Sequence, residues 1–376
     1  MLGSRTRLAP FALLWCAATL AGCSKNEPPP ADAPVRTAAV ETPSFKVCWT
    51  IYAGWMPWEY GAAKGIVAKW ADRYGIAIDV VQINDYVESI NQYTAGQFDG
   101  CSMTNMDALT IPAAGGVDST ALVVGDFSNG NDGIVLKGAD KTLADIKGLP
   151  VNLVELSVSH YLLARGLESV AMSERDISVV NTSDADIVAA FAAKDVQATV
   201  TWNPLLAEIV ATPSVSKVFD SSQIPGEIID LMVVNTATLQ AHPELGKALT
   251  GAWYEIMAIM SGEDEAGIAA RTHMAQASGT DLAGYEAQLA ATRMFYEPAD
   301  AARFTASPEL PQTMEKVAAF SFAHGLLGEG AKDAGAVGIA YPGGKITGNA
   351  DNVKLRFTDE FAAMAAEGTL SGQGGE

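Results

Sequence analysis

The sequence predicts an α/β protein of two units, the second inserted into the first. Three observations predict it. Short apolar strands alternate with helical stretches from residue 45 onwards, the pattern of sheets flanked by helices. A turn rich in glycine and asparagine, Ser128-Asn129-Gly130-Asn131-Asp132-Gly133, interrupts that alternation, which restarts after Lys141. A second long apolar strand, Ile228 to Val234, then leads into a mostly helical end. The expected units are 45–133 plus 232–370 and 134–231, joined by two chain crossings that form a hinge.

The elements follow in order. Lys46 to Tyr52 reads as a strand, and Glu59 to Tyr74 as a helix with Ile66, Val67 and Trp70 at helical spacing and Gly75 as its stop. Ile76 to Ile83 is a strand. Asp85-Tyr86-Val87-Glu88 opens a helix in the form of a capping box. Gly100 to Thr104 and Ala121 to Gly125 read as strands around a helix from Asn105 to Ala114. In the second unit, the strands are Ile134–Lys137, Val151–Val154, Ile177–Val180 and Ala198–Trp202, and the helices Leu143–Ile146, Tyr161–Val170 and Ala185–Ala193. Asn203-Pro204 starts the next helix, and Pro243 opens one that contains Tyr254.

The start of the chain reads as a targeting segment. Arg5 and Arg7 precede an apolar run from Leu8 to Leu20, which ends in Leu20-Ala21-Gly22-Cys23. The run is shorter than the ~20 apolar residues of a membrane span. Its ending resembles the bacterial lipobox, which implies cleavage after residue 22 and lipid on Cys23. Residues 23–44, with Pro28-Pro29-Pro30, read as an extended spacer. The expected location is periplasmic, tethered to a membrane by that lipid.

The formal charge is −20 over 376 residues, and loss of Arg5 and Arg7 with the signal would make it −22. Nucleic acid is excluded as an expected partner, because phosphate binding needs basic patches. Cys48 and Cys101 lie in apolar strand-like runs and read as buried thiols in preference to a disulfide. Without nearby histidines they are no zinc site.

In open α/β sheets, ligands bind beyond the carboxyl ends of strands. The loops there hold no Lys or Arg, but many acids and aromatics. The candidate ligand-binding residues are Trp55, Trp58, Asp85, Asn105, Asp107, Asp126, Glu155, Ser157, Trp202 and Asp230. Carboxylates accept the paired N–H donors of a planar cation, as they do from arginine. A Trp face adds ~1–2 kcal/mol when desolvated. Guanidinium is therefore favoured over urea, which is neutral and needs a donor such as Asn105, Ser157 or a Trp N–H. Each residue also has a structural reading. Asp85 and Glu88 suit a helix cap. Asp132 reads as a turn residue, Glu59 as a solvated acid, His160 as a helix-face residue, and Trp70, Trp253 and Tyr254 as core. Asp230 stands inside an apolar strand, where an unpaired carboxylate is costly.

Tyr52-Ala53-Gly54-Trp55, Phe98-Asp99-Gly100, Thr104-Asn105, Ser157 with His160-Tyr161-Leu162-Leu163, Trp202-Asn203-Pro204 and Leu231-Met232-Val233-Val234-Asn235 occur in that order. Together they resemble the periplasmic solute-binding proteins of ABC importers for taurine, alkanesulfonates, nitrate and thiamine precursors. Gly54-Trp55-Met56-Pro57-Trp58, the stretch from Gln82 to Tyr93, Thr104 to Leu109 and Gly125 to Gly133 are similar to a urea-carboxylase-associated branch linked to urea and guanidine. Glu155 departs from the wider family, which has a small residue before its Ser.

The resemblance implies a type II two-lobed binding-protein fold, each lobe a mainly parallel sheet flanked by helices. It implies a monomer without cofactor that closes on a solute and docks on a permease and its ATPase. An anion or a thiamine-precursor pyrimidine is the alternative ligand. A related fold serves a thiamine-precursor biosynthetic enzyme, but that chemistry needs a cysteine-rich segment this chain lacks. No catalytic constellation is expected, because no Gly-x-Ser-x-Gly, P-loop or metal-ligand spacing appears.

Overall fold

The computed structural model describes residues 42–370. Cys23 and the signal lie outside the described residues.

The first lobe opens with β1 (Ser44–Trp49), α1 (Met56–Ala63), α2 (Ile66–Arg73), β2 (Ala77–Gln82), α3 (Tyr86–Thr94), β3 (Gly100–Thr104), α4 (Asn105–Ala108) and β4 (Ser119–Ser128). The expected helix from Glu59 to Tyr74 is two helices. Gly65, at φ +71°, takes a left-handed turn between them. α4 runs on as a π-helical turn, Leu109–Ala113, around Pro112, which has no N–H to give to an α-helical ladder.

The chain then crosses into the second lobe. This holds β5 (Asp132–Lys137), β6 (Pro150–Leu153), α5 (Val158–Ser169), β7 (Ser178–Asn181), α6 (Asp184–Ala192), β8 (Ala198–Trp202), α7 (Leu205–Val210) and β9 (Val215–Asp220). It returns along β10 (Ile229–Asn235) to α8 (Thr236–Ala241), α9 (Pro243–Met260), α10 (Glu265–Ala277), α11 (Leu282–Ala290), β11 (Thr292–Met294), α12 (Pro298–Thr305) and α13 (Glu309–Ala323). The end carries β12 (Gly338–Ala340), β13 (Ile346–Thr347), β14 (Val353–Phe357) and α14 (Glu360–Ala366).

The larger sheet has the order β13-β12-β14-β4-β10-β3-β1-β2, with β11 added on β4, and the smaller β7-β6-β8-β5-β9. Both are mixed. Parallel pairs such as β1–β2 and β6–β8 are joined through helices, as parallel strands require. The strands at the crossings run antiparallel to their neighbours: β10 to β3 and β4, and β5 to β8 and β9. That reversal brings the chain back twice at the junction of the lobes.

Cys48 and Cys101 face each other in the parallel β1–β3 register, with Cα atoms 4.4 Å apart, and form a disulfide. The expectation of two free thiols is corrected: the pairing follows from a strand register that spacing alone does not reveal. Among the described residues, no helix is long and apolar enough to cross a membrane.

Candidate solute-binding site

Each lobe contributes one row of residues where its strands meet the crossing. In the first lobe, Asp230 on β10 is the cross-strand partner of Thr104 on β3 and of Asp126 on β4. In the second, Asp132 at the start of β5 pairs with Trp202 at the end of β8. Between the rows lies a small void of about 20 Å³. Tyr52, Trp55, Tyr86, Thr104, Ile228 and Asp230 line it from the first lobe; Asp132, Val158 and Trp202 line it from the second. All nine are buried. The void has room for about one water-sized group, so a solute of several heavy atoms needs its walls to move apart.

The aromatic walls are mutually packed. Tyr86 stacks on Trp55, with ring centres 5.8 Å apart, and meets Trp202 edge-on at 5.5 Å. Tyr52 meets Trp55 edge-on at 5.1 Å. Trp55 Nε1 is buried and has no hydrogen-bond partner.

The carboxylates are incompletely partnered. Tyr52 Oη donates to Asp126 Oδ1 at 3.3 Å, but Asp126 Oδ2 and Asp230 Oδ2 are buried without partners. Tyr86 Oη and Thr104 Oγ1 donate to Asp107 Oδ2 at 2.7 and 2.8 Å, while Asp107 Oδ1 has none. Burial pushes Asp126 and Asp132 up to about 7 and Asp107 up to about 6. For Asp107 this is offset in part by Tyr86, Thr104 and the Val158 amide at the start of α5. Asp230 is raised well above the ordinary range, by burial first and then by the charge of Asp126 beside it. Burial and the charges of Asp230, Asp126 and Asp132 likewise raise Tyr52, which sits among all three. No Lys or Arg lines the void. Gly54 is required here: a Cβ would collide with Asp126 Oδ2 and come within 2.7 Å of the Tyr52 ring.

The structure brings Trp55, Trp202 and Asp230 to the void itself, with Asp126 and Asp107 directly behind Tyr52 and Tyr86. The other candidates stand elsewhere. Trp58 lies on α1 and packs against Trp253, ring centres 5.0 Å apart, in the core. Asp85 caps α3 by accepting from Glu88 N at 2.8 Å. Asn105 spends its amide on the chain crossing, donating to Glu227 O at 3.1 Å and accepting from Ile229 N at 3.0 Å. Ser157 caps α5 and donates to Val154 O at 2.7 Å. Glu155 is exposed. The next residue, Leu156, takes a left-handed φ of +63° as the chain turns into α5, so Glu155 stays on the solvent side. Asp132, read from sequence as a turn residue, lines the void. Its signal was an acid opening an apolar strand at a crossing. Tyr52, Tyr86 and Thr104 also line it, although they were not among the candidates.

Residues 49–276 match the NMT1-like family. This chain belongs to the NMT1-like family. In sequence the chain is similar to proteins of Brucella abortus and Brucella suis, provisionally named binding proteins. They are 30% identical over 102 residues, 27% of this chain and 31% of theirs, so the match spans about a third of their length. The fold is that of periplasmic binding proteins. The alkanesulfonate-binding protein SsuA of Xanthomonas axonopodis, bound to MOPS, superposes with a TM-score of 0.63 at 19% identity, over 77% of this chain and 96% of that one. The nitrate-binding protein NrtA of Synechocystis gives 0.60 at 12% identity, over 87% and 89%. The relatives and neighbours named here carry the names of binding proteins and not of enzymes. At these identities the neighbours speak for the fold of this NMT1-like chain and leave its solute to the site.

Proposed function

We propose that this chain is the solute-binding lipoprotein of an ABC importer, tethered through Cys23 in the periplasm, and that its solute is guanidinium. One observation carries the ligand: a buried, unpartnered carboxylate oxygen of Asp230 stands at an aromatic-walled void with no basic side chain, and that of Asp126 lies behind Tyr52. A buried carboxylate without a partner is strongly unfavourable, and a cation with N–H donors relieves it. Guanidinium offers donors all round its edge and a flat face for Trp55, Tyr86 and Trp202. The lobes close on it, exclude water, and present the closed form to a permease and its ATPase. The similarity to the urea- and guanidine-linked branch supports the same reading.

Urea is the second reading, favoured by the unpartnered Trp55 Nε1, which would donate to its carbonyl. Calorimetric titration of the purified protein with guanidinium, urea, nitrate and taurine at millimolar concentrations and below tests the choice. The expected order places guanidinium first and urea weaker, with nitrate and taurine unbound. Tight binding of nitrate or taurine without guanidinium overturns the cation reading.

A further inference from the structure

A second titratable cluster lies away from the void, between α5 and α13. Glu174 begins the 3-10 turn Glu174–Asp176 that leads into β7, so it belongs to the second lobe. His324 caps the end of α13. That helix is held to the first lobe, where Met314 Sδ lies 3.4 Å from Asn105 Nδ2. His160 stands on α5. His324 Nε2 lies 2.9 and 3.0 Å from the two Glu174 oxygens, and His160 Nε2 lies 3.0 Å from Oε1.

Two histidines and a carboxylate suggest a metal, but the hydrogen bonds exclude His160 as a ligand. Its Nδ1 accepts the Leu156 N–H at 3.1 Å, so Nε2 carries the ring proton and has no lone pair to give. A metal-bound histidine instead donates from its second nitrogen. The His160 N–H is also not aimed at Glu174, and Nε2 is left buried without a hydrogen bond.

His324 has the opposite arrangement. Its Nδ1 is 2.8 Å from the Phe320 carbonyl, which can only accept, so Nδ1 carries a proton. Its Nε2 faces the Glu174 carboxylate, which the neighbouring histidines hold below the usual glutamate range and which is therefore ionised. Two lone pairs would repel there, so Nε2 needs a proton too. The contact exists only while His324 is imidazolium.

We propose that Glu174 and His324 form a proton-held tie between the second lobe and α13, made when the lobes close and released as His324 loses its proton. The other charged groups bordering it are Arg165 and Glu168 on α5, Arg175 beside Glu174, and Lys316 on α13. Arg165 and Lys316 keep their charge over the range in which a histidine titrates and are engaged by Glu227, so they do not replace the tie. The sign follows from the extra proton. The tie is present at low pH and is lost as pH rises through the range in which histidine side chains lose their proton. It requires no solute, so it stands or falls separately from the guanidinium reading.

The test is the melting temperature and small-angle scattering of the unliganded protein between pH 5.5 and 9, for the wild type, His324→Gln and Glu174→Gln. At pH 5.5 both variants should melt about 2 °C lower than wild type and show a larger radius of gyration. By pH 9 the wild type should match them. A variant deficit that stays constant across the range, or is absent at pH 5.5, overturns the tie. So does tight binding of one Zn²⁺ that is lost in His160→Gln, since it would give the cluster to a metal.

Discussion

Glu227 and Asp230 are three residues apart on the returning crossing, and both are buried acids, yet their surroundings are opposite. Glu227 accepts from Tyr161 Oη at 2.7 Å, Arg165 Nε at 2.9 Å and Lys316 Nζ at 2.7 Å. Burial alone would raise it, but these partners outweigh burial and hold it below the usual glutamate range. Asp230 has no cationic partner, and its neighbour in the sheet is another carboxylate. The first acid is a finished structural joint that draws α5 and α13 to the crossing. The second lacks such partners, and the proposed cation would supply one. A buried acid is thus sorted by its partners rather than by its burial.

The largest expected effect separates the two. Asp230→Asn should weaken guanidinium by about 100-fold or more, from a cost of ~3–5 kcal/mol for removing one partner of a buried charge pair, read by calorimetry. Its unliganded melting temperature should not fall, because an uncompensated carboxylate is removed. Glu227→Gln should do the reverse, costing roughly 1–3 kcal/mol in denaturant unfolding with little change in cation affinity. Next, Gly54→Ala should lower cation affinity about tenfold or more, because the new methyl displaces the Asp126 carboxylate. Trp202→Ala should cost ~1–2 kcal/mol of cation binding and leave urea less affected.

The smallest effect is on pH. Asp126, Asp132 and Asp107 have values of about 7, 7 and 6 in the unliganded fold, against an ordinary ~4. Between about pH 4 and 7 the folded state therefore holds more protons than the unfolded one. These groups contribute stability at low pH that is lost as pH rises through 6 and 7. Cation affinity runs the other way, rising with pH as protons on these acids and on Asp230 give way to solute. Guanidinium affinity unchanged between pH 5.5 and 8 would count against carboxylate contact.

Much of the fold was legible because alternating strands and helices carry local signals. Gly100–Thr104 and Ala198–Trp202 stand where their apolar runs place them. β9 and the short strands β12–β14 were not legible. β12 and β13 are only three and two residues long, and β9 breaks the alternation at Val218-Phe219. Within the site, the right loops were legible but side-chain direction was not. Trp55 and Trp58 share one motif, yet one precedes α1 and faces the void while the other lies inside α1 and faces Trp253. Glu155 follows an apolar strand as a site acid would, but a left-handed turn keeps it outside. Asp132 has the composition of a turn and the position of a ligand, a difference set by its pairing with Trp202.

The most direct measurement is the guanidinium dissociation constant at pH 8 for three proteins side by side: the wild type, Asp230→Asn and Glu227→Gln. The account predicts that Asp230→Asn binds at least about 100-fold more weakly, while Glu227→Gln stays within about threefold of wild type. Equal losses in both variants, or none in Asp230→Asn, would contradict it.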